Sequence, residues 1–136
     1  MGWEYLKNEV NNSLLIYLSY MKFIITESKL EQIIFKYLDK EEFVKIEGVE
    51  DVYFANSSDD EYGIIRYDKT NGRCAIYNDL IEEISYLFSL EDGESKKVIG
   101  KWVEDTLKMK VSDTKCNTIF RKFRMRIPRL SPTNFR

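Results

Sequence analysis

Between Phe43 and Tyr77 the apolar pattern of this chain changes period, and that change limits the possible folds more than any other feature. Phe43-Val44-Lys45-Ile46, Val52-Tyr53-Phe54-Ala55, Gly63 to Tyr67 and Arg73 to Tyr77 are short runs rich in β-branched and aromatic residues, the composition of strands. Gly48, then Asn56-Ser57-Ser58-Asp59-Asp60, supply the first two turns. Lys69-Thr70-Asn71-Gly72 separates the last two runs. Asn-Gly is a strong hairpin signal because both residues tolerate positive φ.

On either side of this region the spacing is helical. Thr26 is placed to cap a helix in which Leu30, Ile33, Ile34, Tyr37 and Leu38 fall on one stripe, with Ile25 and Leu30 spaced as a hydrophobic staple. After the strands, Asp79 and Glu82 form an Asp-x-x-Glu start, and Leu80, Ile81, Ile84, Leu87 and Phe88 trace an apolar face. Glu91-Asp92-Gly93 breaks the chain there. From about Glu94 to Lys110, Val98, Ile99, Trp102, Val103, Thr106 and Leu107 repeat the stripe, and Lys108 and Lys110 sit where cations suit a helix end. Residues 3–20 hold Leu6, Val10, Leu14 and Tyr17 at helical intervals, weakened by Asn11, Asn12 and Ser13.

The end of the chain alternates. Ile119, Arg121, Phe123, Met125 and Ile127 point one way, and Phe120, Lys122, Arg124 and Arg126 the other, the pattern of a strand that Pro128 stops. The order predicts an α+β fold: a small antiparallel sheet of about four or five strands packed by about three helices. Its expected core is Leu30, Ile33, Ile34, Leu38, Ile65, Ile76, Ile84, Leu87, Phe88, Val98, Ile99 and Trp102. Residues 21–128 form the expected domain, 1–20 a helical extension and 129–136 an irregular basic tail.

Charge is polarised along the chain. Residues 114–136 carry seven basic side chains and no acidic one, whereas residues 1–113 carry 14 basic and 23 acidic. The body is therefore near −9 and the tail near +7, hidden inside a net charge of −2. No histidine is present, which removes Ser-His-Asp, Cys-His and histidine-base mechanisms. A zinc site would have to use cysteine and carboxylate alone, and Cys74 and Cys116 lie far apart in sequence. They are expected to be reduced thiols of a cytoplasmic protein. The apolar stretch Leu14 to Ile25 is short for a membrane span and is interrupted by Lys22. Expectation from these features is a soluble, non-enzymatic protein without cofactor, metal or membrane association.

Met21-Lys22-Phe23-Ile24-Ile25-Thr26-Glu27-Ser28-Lys29-Leu30 resembles the opening of many small proteins encoded by tailed bacteriophages, which begin with a variant of MKIIITESQL. Phe88-Ser89-Leu90 and Trp102-Val103-Glu104 match two later elements of that group, so the resemblance spans about residues 21–110. It implies a phage or prophage origin and a host-cytoplasm or virion setting, and it carries over no catalytic residue. It also sets Met1 to Tyr20 apart, as either a real extension or an upstream mis-start.

Two modes of action fit. One is binding to a protein partner through an aromatic-rich, charge-polarised surface. The other is nucleic-acid binding by Phe120, Lys122, Arg124 and Arg126, one aromatic and three cations on one face of the last strand. Against the second, the same cations can pair with the acidic body or guard a sheet edge. The acidic groups Asp59-Asp60-Glu61 and Glu91, Asp92, Glu94 lack the ligand spacing of a calcium loop. Tyr53, Tyr62, Tyr67 and Tyr77 fall in the strand region, where cross-strand packing is the ordinary use of aromatics. No glycine-rich phosphate loop occurs.

Overall fold

A computed structural model describes residues 27–118 and 125–128. In chain order the elements are α1 (Glu27–Lys40), β1 (Val44–Glu47), β2 (Asp51–Ala55), β3 (Ile65–Asp68), β4 (Arg73–Tyr77), α2 (Asn78–Phe88), α3 (Asp92–Leu107) and β5 (Asp113–Asn117). The strands make one five-stranded sheet in the order β1-β2-β3-β4-β5, so the expected α+β class holds. The first four strands are an antiparallel meander. The sheet is mixed rather than antiparallel, because β5 pairs parallel to β4 after the chain crosses back through α2 and α3.

Side-chain alternation gives the sheet two unlike faces. Val52 and Phe54 of β2, Ile65 and Tyr67 of β3, and Cys74 and Ile76 of β4 turn toward the helices. They are met by Ile34 and Leu38 of α1, Leu80, Ile81, Ile84 and Phe88 of α2, and Ile99, Trp102 and Val103 of α3. Trp102 fastens three elements: its ring packs near Phe54 at 5.1 Å and Phe43 at 6.0 Å between centroids, and its indole N–H donates to Asp39 Oδ1 at 2.9 Å. Most of the expected core is buried, with Leu30, Leu87 and Val98 half-buried at its margin. Ile33 is the exception at 41 % exposed. The stripe of α1 that meets the core is Leu30, Ile34 and Leu38 with Phe35 and Tyr37 partly buried beside them, and Ile33 lies beyond its edge.

Local starts and stops differ in instructive ways. The β3–β4 loop uses positive φ at Gly72 alone, with φ of 76°, and Gly72 N–H closes the turn on Asp68 O at 2.8 Å. It is thus a four-residue loop rather than the two-residue turn that Asn-Gly favours. The same loop seats the approach to β5: Ser112 N–H donates to Gly72 O and Ser112 Oγ to Asn71 O, both at 2.8 Å. Tyr67 adds a hydroxyl bond to Lys110 O at 2.8 Å. This docking carries the chain onto the free edge of β4.

Helix α2 starts two residues earlier than expected, with Tyr77 as N-cap in place of Asp79, which lies inside the first turn. Helix α3 begins at Asp92, because Glu94 reaches back to accept the Glu91 N–H at 3.1 Å; the acidic break is a helix cap. The helix ends at Leu107, with Lys108 left-handed at φ of 58°, so Lys108 and Lys110 lie past its last turn. Ser85 Oγ links the two helices by bonding Asp92 Oδ1 and buried Ser95 Oγ, each at 2.8 Å. The expected helix at 3–20, Thr26 and Ile25 lie outside the described residues, as do residues 129–136.

Candidate functional site

The described helices cover one face of the sheet, which leaves the other to carry Val44 and Ile46 of β1, Asp51, Tyr53 and Ala55 of β2, Arg66 and Asp68 of β3, Arg73, Ala75 and Tyr77 of β4, and Asp113, Lys115 and Asn117 of β5. Residues 125–128 reach the β1–β2–β3 end of this face. Gly63 N–H donates to Met125 O and Ile127 N–H to Glu61 O, both at 2.8 Å, around an antiparallel bridge between Tyr62 and Arg126. Met125 and Ile127 are buried and Arg126 is exposed, which matches the alternation expected there. Ile127 joins Tyr53, Ala55 and Ile46 in a second, smaller apolar cluster behind the sheet. Residues 119–124 of the expected strand, including Phe120, Lys122 and Arg124, lie outside the described residues. Of the four nucleic-acid candidates only Arg126 is therefore placed.

Beside that cluster, at the closed end of the β1–β2 hairpin, lies a groove of about 470 Å³. Ile46, Val49, Tyr53, Ile127 and Pro128 supply its apolar lining, and Glu47, Glu50 and Asp51 its acidic rim. Val49 is 89 % exposed at the hairpin tip, the barest large apolar side chain among the described residues. Two of the rim acids have cationic neighbours: Lys69 Nζ contacts Glu47 Oε2 at 3.0 Å, and Arg66 approaches Asp51 at a long 3.4 Å. The Lys69 bond holds the Glu47 carboxyl below the usual carboxylate range. Burial raises the Tyr53 phenol, with the nearby Asp51 carboxylate adding to the effect. An apolar hollow with an anionic rim suits a partner that inserts an apolar side chain flanked by lysine or arginine. The sequence holds one local trace of this groove, a β-branched residue in the polar turn Gly48-Val49-Glu50.

Chemistry-bearing groups elsewhere serve the fold. Cys74 is buried, and that burial pushes its thiol up to about 12; Cys116 is exposed and also raised, chiefly by desolvation. Neither thiol is activated toward nucleophilic attack. Asp60 accepts from the N–H groups of Asn56 and Ser57 at 3.1 Å, which braces the β2–β3 turn. No cluster of three or more cysteine, aspartate or glutamate side chains suited to a metal ion occurs among the described residues. Among the same residues no helix is long and apolar enough to cross a membrane. Tyr53 and Tyr67 are packed in the sheet, while Tyr62 and Tyr77 are half-buried. No family model, curated protein or solved structure matches this chain.

Proposed function

We propose that this chain is a non-enzymatic accessory protein of a tailed phage or prophage that works in the host cytoplasm by docking on another protein. The observation that carries the docking is the groove at the β1–β2 hairpin, with Val49 bare at its lip and three carboxylates around it. The resemblance of residues 21–110 to small phage proteins supports the setting. A partner segment bearing one apolar anchor and adjacent cations would bury Val49 and Ile46 and neutralise the rim.

Val49→Asp tests this without disturbing the core, since Val49 stands in solvent. Tagged wild-type protein and the variant are recovered side by side from infected host cells. Recovery of one defined partner with the wild type, reduced at least tenfold by Val49→Asp at unchanged melting temperature, is the expected result. A lone monomer in both preparations, or equal recovery, would refute docking at this groove.

A second mode, nucleic-acid binding by Phe120, Lys122, Arg124 and Arg126, draws support from Arg126, which is exposed between two buried neighbours. A salt series of nucleic-acid binding with Lys122, Arg124 and Arg126 changed to alanine separates it from protein docking.

A further inference from the structure

The face that the described helices leave uncovered has a second hollow, over β3, β4 and β5, away from the groove at β1 and β2. The register sets Arg66 against Ala75 and Ala75 against Lys115, so one row across β3, β4 and β5 reads cation, methyl, cation. Neighbouring strands run about 4.8 Å apart, which leaves roughly 10 Å between the outer two backbones with only a methyl group between them. On the same face Arg73 stands two residues before Ala75 and Asn117 two residues after Lys115, on opposite sides of the row. The short side chain of Ala75 is thus the floor of a hollow of about 180 Å³, walled by Arg66, Arg73, Lys115, Asn117 and Asp68.

Two polar atoms of that wall are buried without a partner among the described residues: Arg66 Nε, a donor, and Asn117 Oδ1, an acceptor. Asn117 is only 4 % exposed. Buried polar groups are nearly always paired, and two exceptions in one hollow mark a place built for something else to bond. Carboxylates offset part of this charge: among the described residues Asp51 pairs with Arg66 at 3.4 Å, Asp68 stands in the wall, and Asp113 lies beside Arg73 in the register. Three cations on three sides suit a tetrahedral oxyanion, whose oxygens match guanidinium forks. The free acceptor of Asn117 asks in addition for an O–H or N–H beside that anion.

We propose that this hollow binds a phosphoryl group carrying a neighbouring hydroxyl, the chemistry of a ribose phosphate. The group can come from a free sugar phosphate or nucleotide, or from single-stranded RNA. This site is separate from the hairpin groove and uses none of its residues.

The test titrates the whole protein at low salt with inorganic phosphate, ribose 5-phosphate and a uridine decanucleotide, following the backbone amide signals of residues 66, 75, 115 and 117. Ala75→Met, which fills the hollow from a half-buried position outside the main core, and the double variant Arg73→Glu, Lys115→Glu are run beside the wild type, with melting curves as the check on folding. Saturable binding of ribose 5-phosphate is expected, at least tenfold tighter than inorganic phosphate and weakened at least tenfold by either variant. Oligonucleotide affinity at least tenfold above ribose 5-phosphate, falling with salt, would assign the site to RNA; similar affinity would assign it to the free compound. Equal affinity for inorganic phosphate would overturn the role given to Asn117. Absence of saturable binding by ribose 5-phosphate and RNA alike, or binding that survives Ala75→Met in folded protein, would overturn the proposal.

Discussion

Replacing Trp102 by alanine will cost about 3–5 kcal/mol of unfolding free energy, the range for removing a large aromatic from a packed core. The side chain is 5 % exposed and touches the sheet through Phe54, the chain entering β1 through Phe43, and α1 through Asp39. Its loss empties a site whose walls belong to separate elements and cannot collapse together. Trp102→Phe separates packing from hydrogen bonding. It retains a ring against Phe54 and gives up the bond to Asp39, itself worth about 1 kcal/mol. Urea titrations of the three proteins supply the comparison. The expected outcome is a large fall in midpoint for alanine, a smaller one for phenylalanine, and a common slope. A change below about 1 kcal/mol for alanine would mean that α3 does not sit on the sheet as described.

Gly100 on α3 will tolerate no side chain without a response from β5. A Cβ at this position would come within 2.6 Å of the Thr114 methyl, closer than such atoms pack. Helix propensity alone favours Gly100→Ala by about 0.8–1.0 kcal/mol. Overpacking opposes it by about 1–3 kcal/mol, so the net change is expected to be a loss. Gly100→Leu reaches farther into the helix–sheet contact, and about 3 kcal/mol is expected there. The compensating change is specific: Thr114→Ser deletes the offending methyl and keeps the hydroxyl. The double variant Gly100→Ala, Thr114→Ser should recover most of the loss, giving a coupling energy of about 1 kcal/mol or more. Simple additivity of the two single changes would contradict the placement of β5 beneath α3.

These two sites also show where the chain is legible. Strand β4 begins and ends at the expected Arg73 and Tyr77, because a β-branched and aromatic run there lies between a glycine turn and a helical stripe. Trp102 and its neighbours on α3 announce themselves by helical spacing. Strand β5 does not. Asp113-Thr114-Lys115-Cys116-Asn117 contains one β-branched residue and no aromatic, and it is a strand because the β3–β4 loop delivers it to the free edge of β4. The local trace of that pairing is Gly100, a glycine inside a helix that lets the strand come close. Ile33 fails for a related reason: helical spacing identifies a stripe, while its width is set by the neighbours that α1 meets. The cationic hollow was hidden for the same cause, because Arg66, Ala75, Lys115 and Asn117 share a row or column only once register is known, and two of them belong to β5. The hairpin groove needed tertiary information too, since Ile127 and Pro128 arrive from the far end of the chain.

Docking as proposed uses the sheet face that the described helices leave uncovered. A photo-reactive residue placed at Val49, 89 % exposed on the hairpin, and in a separate protein at Tyr86, 64 % exposed on α2, compares the two sides of the molecule in infected cells. Illumination should give a defined cross-linked species from position 49 and none from position 86. Adducts from position 86 with position 49 silent would place the partner on the helices and contradict docking at the hairpin groove.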